Sequence, residues 1–309
     1  MFEHNSSVQH EEQKKKMLTR LWAGLTSGLK TEDLASLHVC QWQTHKKVLL
    51  LYLLWRWICA IVCLAIIVCS SIDIGREKSG EKFEYHYEKW WIYLTNWTVL
   101  CGVVQAWLAA LICTKALMDN NRDFEVVLQT KVGPIQQLYW VTYSIATVYS
   151  FIVTFCYWTA VHDPEIHSFD LLNLMVHALL AILMLGDLVI VGHPVRMDPD
   201  LYCTAGVGLG YSIFSLVYYL ADGTDRKLNH AIYPLLDWQK PGKTIVVCVG
   251  GIFFVVVVHI LVCCLCKIRY LIHKKLFVKK TKKLETCKEH ARMLGEQKDF
   301  TIPSILDLK

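Results

Sequence analysis

Apolar residues along this chain fall into long blocks set apart by short charged stretches, near 48–69, 90–113, 138–159, 171–191, 201–220 and 244–266. Each block is close to the ~20 residues that a helix rising 1.5 Å per residue needs to cross about 30 Å of hydrocarbon. Lipid offers the backbone no hydrogen-bond partners, so stretches of this kind fold as helices. The pattern predicts an all-α fold, a polytopic membrane bundle of about six transmembrane helices. It divides the chain into an N-terminal tail at 1–47, a transmembrane domain at 48–266 and a basic C-terminal tail at 267–309. Val246 to Val262, broken only by small residues and His259, is the plainest span. In the fifth block Gly206 and Gly210, four residues apart, predict a closely packed neighbouring helix.

Composition removes the soluble alternatives: 54% of residues are hydrophobic, 19% are charged and the mean hydropathy is +0.34. About 47 polar and charged residues precede the first block, which argues against a cleaved signal peptide. Phe2 excludes N-myristoylation, and Asp307-Leu308-Lys309 offers neither a prenylation box nor a lumenal retention signal. Of the 32 Lys and Arg, 23 fall in the two tails and the second and fourth loops, eight in the other loops, and Arg56 inside a span. Positive charge stays in the cytosol, so both termini are expected there; the expected compartment is the plasma membrane, with an endomembrane as the alternative. None of the 13 cysteines falls in the three loops assigned to the outside, so no disulfide framework is expected.

Cys263, Cys264 and Cys266 sit where the last span meets the cytosol, a place that suits S-palmitoylation as well as plain apolar packing. Lys267, Arg269, Lys274, Lys275, Lys279, Lys280, Lys282 and Lys283 follow, interleaved with Ile268, Tyr270, Leu271, Leu276 and Phe277. Such a stretch acts as a topology anchor and can also meet anionic lipid headgroups. No nucleic-acid fold accompanies these charges, so nucleic acid is not an expected partner. Two sequons, Asn5-Ser6-Ser7 on the tail and Asn96-Trp97-Thr98 inside a span, are both placed away from the glycosylation machinery. No His-Glu-x-x-His, paired Cys-x-x-Cys, phosphate loop or Gly-x-Ser-x-Gly elbow occurs, so no metal or cofactor is expected.

Polar side chains at membrane depth are costly, which makes each of them a candidate for function or for helix joining. Thr95 lies about 7 Å below the outer surface on the second span, and His177 about 10 Å below it on the fourth. On a straight helix Asn173, His177, Met184 and Asp187 share one stripe, within about 80° of each other. Thr95, Thr98, Gly102, Ala106, Ala109 and Cys113 form a face of small residues that lets another helix come near. If these two helices pair closely, Thr95 and His177 meet as a hydroxyl and a base, with Asn173 orienting the ring. Structural hydrogen bonding is the commoner role for residues of these kinds. Nearer the cytosol, Arg56, Asp187 and His259 reach similar depths, and Arg56 with Asp187 is the expected structural ion pair.

Two motifs carry a family resemblance. Trp91-Ile92-Tyr93-Leu94-Thr95-Asn96-Trp97 opens the second span, and Ile232-Tyr233-Pro234-Leu235-Leu236-Asp237-Trp238 with Pro241-Gly242 lies in the fifth loop. With Arg56 and Pro194-Val195-Arg196, they resemble the signatures of rolling stone proteins, over roughly 45–270 with both tails outside. The resemblance implies a multipass membrane protein acting in cell contact or myoblast fusion. More distantly, the chain is similar to the androgen-induced and androgen-dependent membrane hydrolases, which cleave fatty acid esters of hydroxy fatty acids with a threonine and a histidine. That likeness matches Tyr93-Leu94-Thr95 and Asn173-Leu174-Met175-Val176-His177 and implies a lipid ester substrate. The hydroxyl-rich continuation expected after the histidine is absent, Ala178-Leu179-Leu180 standing there instead. Tyr233, Trp238 and Pro241 make the fifth loop the expected contact with a partner or with headgroups.

Overall fold

The computed structural model describes residues 12–13, 36–43, 47–75, 88–119, 133–161 and 170–293, with side chains as far as 277 apart from that of 161. Six helices are long and apolar enough to cross a membrane. They are α1 (Leu50–Ile72), α2 (Leu94–Met118), α3 (Pro134–Cys156, continued by a π-helical turn Tyr157–Val161), α4 (Leu171–Ile190), α5 (Asp200–Leu220) and α6 (Pro241–Met293). Helix direction alternates, giving a tail face, where α1 begins and α4 ends, and a loop face, where α1 ends and α6 begins. The protein is therefore an all-α integral membrane bundle.

Local chemistry explains the helix ends. Pro134 and Pro241 open α3 and α6, where a missing N–H costs nothing. The Asp170 carboxylate caps α4 by accepting the Asn173 N–H at 2.7 Å. Asp73 closes α1 in the left-handed region, and its N–H returns to the Cys69 carbonyl. At the other end of α4, Arg269 Nη1 donates to the Leu188 carbonyl at 2.6 Å, and Nη2 to the His193 carbonyl at 2.8 Å. A carbonyl left over in the last helical turn thus gains a cationic donor.

α2 and α3 form the centre, with α1 and α4 against one side and α5 and α6 against the other. The small-residue face of α2 is buried throughout. It packs most extensively on α1 and α3, and it meets α4 where a Cβ on Gly102 would stand 2.9 Å from Leu180 Cδ1. Asn96, the acceptor of the second sequon, is buried between the Trp90 carbonyl and Ser70. Asn5 lies outside the described residues.

Several expectations are corrected. Gly206 and Gly210 sit on an open face, with nothing within 4 Å of an added Cβ, so among the described residues they meet no neighbouring helix. Residues 36–43 do not trail away as tail: Leu37, Cys40 and Gln43 are buried, and the Gln41 N–H donates to the Ile190 carbonyl. The last helix does not stop at 266 but runs for 53 residues, roughly 80 Å, so it must leave the hydrocarbon as a continuous rod. Arg269 faces the bundle rather than headgroups, while Lys267, Lys274 and Lys275 are exposed; the side chains of Lys279 to Lys283 lie outside the described residues. Of the three clustered cysteines, Cys264 is exposed, whereas Cys266 accepts the Val195 N–H and Cys263 bonds the Val195 carbonyl. The described cysteines are all free thiols.

The contrast between glycines is measurable. Gly102→Leu should cost about 1–3 kcal/mol by forcing α2 and α4 apart. Gly206→Leu should stay within about 0.5 kcal/mol. Thermal unfolding of the protein in detergent distinguishes them, and equal losses would contradict the packing described.

Candidate functional site

Two polar layers cross the bundle, one on the tail side and one beneath the fifth loop. On the tail side, Arg56 of α1 and Asp187 of α4 are 1% and 0% exposed, and Nη1 lies 2.7 Å from Oδ2. The remaining carboxylate oxygen accepts from Trp55 Nε1 at 2.6 Å. Arg56 Nε and Nη2 both reach Tyr52 Oη, one helical turn back, and Nη2 also reaches Tyr139 Oη of α3 at 3.4 Å. Every charge here is matched and hydrogen-bonded, the condition under which ionised groups persist in hydrocarbon.

Tyr139 carries the layer onward. Its hydroxyl lies 2.6 Å from His193 Nε2, and the imidazole sits among the rings of Tyr139, Trp140 and Tyr143. Burial holds His193 well below the ordinary histidine value, and Arg56 and Arg269 push in the same direction. A neutral ring can accept the Tyr139 proton at Nε2, which frees the phenol oxygen to accept from Arg56.

A second carboxylate completes the layer. Asp200, the first residue of α5, accepts from Trp140 Nε1, Ser144 Oγ and the Arg196 N–H through Oδ2, and from Arg196 Nη2 through Oδ1 at 2.8 Å. Arg196 also stacks on Trp140, 4.6 Å from the ring centroid. His259 joins this cluster rather than the Arg56–Asp187 pair: Nδ1 meets Thr204 Oγ1 at 3.1 Å and Nε2 meets the Arg196 carbonyl at 2.8 Å. Asp200, His193 and Tyr139 went unremarked in the sequence. The available signal was the four-residue spacing of Arg196 and Asp200.

The loop-face layer holds Thr95, Asn173 and His177. Thr95 and Asn173 are buried, and His177 is partly buried. Thr95 lies against the Tyr233 hydroxyl of the fifth loop; burial raises that phenol to about 12, and the hydrogen bond from Thr95 works against the rise. His177 stacks face to face on Tyr157, with ring centroids 3.4 Å apart and planes 3° apart. Both rings belong to π-helical turns, Tyr157–Val161 and Met175–Leu179. A π turn inserts one residue into the helical repeat, so Asn173 and Asp187 on its two sides do not share the straight-helix stripe drawn for them. α2 packs against the turn that carries His177.

The fifth loop forms a rigid cap over this layer. Lys89 Nζ donates to Thr224 Oγ1 at 2.6 Å and to the Asp225 carbonyl at 2.8 Å, and Arg226 stands 4.0 Å from Asp73 and over the Tyr93 ring. Asp225 Oδ1 accepts the N–H groups of Lys227 and Asn229, fixing the turn between them. Contrary to the expectation for this loop, its aromatic residues point inward: Tyr233 meets the rings of Tyr93 and Tyr211, and Trp238 Nε1 donates to Ser215 Oγ. Leu228 and Leu235 are the large apolar residues that it exposes, at 60% and 49%. Among the described residues no cluster of three or more His, Cys, Asp or Glu could hold a metal ion.

Comparison with known proteins places this arrangement. A family model described as Protein rolling stone matches residues 16–283, a longer stretch at both ends than the 45–270 read from motifs. The chain is similar to Protein rolling stone of Drosophila melanogaster, 28% identical over 223 residues, covering 68% of this chain and 74% of the fly protein. No solved structure matches the chain.

Proposed function

The chain belongs to the rolling stone family, and on that premise we propose that it is a plasma-membrane protein with both termini in the cytosol, acting in cell contact or myoblast fusion through its loop face. The observation that carries this reading is the fifth-loop cap. Lys89, Arg226, Tyr233 and Trp238 tie the cap down, yet it presents Leu228 and Leu235 to solvent. A surface held in place loses little conformational freedom on meeting a partner, and these two leucines are the apolar contacts that it offers one. The charge distribution supports the orientation, because it puts the cap outside the cell.

The test is cell mixing. Leu228→Asp with Leu235→Asp should lower fusion of expressing cells severalfold while surface level stays constant. Unchanged mixing at equal surface level would contradict this role.

A second reading is an intramembrane esterase: the Thr95 hydroxyl attacks the acyl carbonyl of a lipid ester, His177 takes its proton and returns it to the departing alcohol as the ester C–O bond breaks, and water then releases the fatty acid from Thr95. The packing of α2 on the π turn that carries His177 favours it, since π turns recur at functional sites. Purified protein should then hydrolyse a hydroxy-fatty-acid ester, with Thr95→Ala and His177→Ala each lowering the rate by about 100-fold or more. Equal rates in all three proteins would end this reading.

A further inference from the structure

A lateral cleft of about 540 Å³ opens between α2 and α5 on the loop-face half of the bundle, on the side of α2 opposite Thr95. Trp91, Trp97, Leu100, Cys101, Phe214 and Tyr218 line it, and Trp91 and Leu100 are exposed at 57% and 36%. Its volume falls within the ordinary range of ligand sites, roughly 300–1,000 Å³.

The walls are preformed. Trp97 Nε1 donates to the Trp91 carbonyl at 2.7 Å, the Trp97 ring packs on Tyr211 and Phe214, and Phe214 stacks on Tyr218. Tyr218 Oη in turn donates to the Thr224 carbonyl, and Thr224 Oγ1 accepts from Lys89. That chain of contacts holds a cation at the outer end of an apolar groove. Lys89 gives two of its three N–H donors to the loop, which leaves one for a ligand.

We propose that this cleft binds one glycerophospholipid of the loop-face leaflet, with an acyl chain along Trp97, Leu100 and Cys101 and its phosphate beside Lys89. The dimensions fit. From Leu94 to Cys101 the helical wall descends about 10 Å, within the ~15 Å depth of one leaflet. The mouth opens sideways, where acyl chains are the surrounding solvent. A positive charge at headgroup level complements the phosphate, whereas the interior offers an acyl chain only apolar contact. Neither Leu228 nor Thr95 lines the cleft, so its filling tests neither functional reading above; Lys89 is shared, since it also ties down the fifth-loop cap.

The experiment uses the full-length chain in phosphatidylcholine vesicles doped with a phosphatidylcholine that carries a photoactivatable group in its acyl chain, with adducts mapped by mass spectrometry. Adducts at residues 91–101 and 214–218 should exceed those on the equally lipid-facing segment 246–253 of α6 by about tenfold, a preference of 1.4 kcal/mol. Cys101→Trp and Leu100→Trp, which fill the groove, should each abolish that excess while adducts on α6 remain. Lys89→Gln should lower it without changing the positions labelled. Two groove-filling variants guard against one of them failing to fold, which size-exclusion chromatography reports. Even labelling of both segments, or an excess that survives filling in a folded variant, would overturn the proposal.

Discussion

A guanidinium and a carboxylate held together inside hydrocarbon set the arrangement of this bundle. Arg56 and Asp187 are both buried, they belong to the first and fourth helices, and each is costly in lipid without the other. Satisfying the pair recruits Trp55 and Tyr52 from α1 and Tyr139 from α3, so one electrostatic requirement ties three helices at a single depth. Tyr139 then leads to His193, whose backbone carbonyl is held by Arg269 of α6. Around it the Asp200 and Arg196 cluster fixes the first turn of α5 against α3. In lipid, buried hydrogen bonds of this kind orient helices together with the close packing of small residues such as Gly102.

The two faces differ in construction, and the difference bears on function. The tail-face half holds a buried polar network in which Arg56 pairs with Asp187 and Arg196 with Asp200. The loop-face half combines π turns, a capped aromatic layer and a lateral cleft, with polar groups such as Thr95 and Tyr233 gathered beneath the fifth loop. The proposed partner surface and the proposed lipid cleft both lie on this half, and the hydrogen-bonded network opposite holds the helices that carry them.

Legibility in the sequence followed the cost of misplacement. The spans could be read directly because hydrocarbon enforces them, and depth alone set Arg56 and Asp187 at one level, where the structure has them 2.7 Å apart. Residues at the boundary were ambiguous, since water and protein both satisfy them there. Arg269 read as one more basic juxtamembrane residue but caps α4, and Tyr233 and Trp238 read as outward contacts but turn in. The stripe along α4 does turn inward, with Asn173, Met184 and Asp187 buried, but a straight helix misplaces its two ends relative to each other, since nothing in Met175–Leu179 announces a π turn. Gly206 and Gly210 have the spacing of a helix contact, yet spacing cannot say whether a neighbour is present.

If the Arg56–Asp187 pair organises the bundle, the two residues must matter together rather than separately. Unfolding of the protein in detergent micelles, with Arg56→Met, Asp187→Leu and the double variant compared, measures this directly. Each single change strands one buried charge and should cost about 3–5 kcal/mol, while the double variant should regain most of that loss. Losses that simply add in the double variant would show that the pair is not the constraint from which the fold is built.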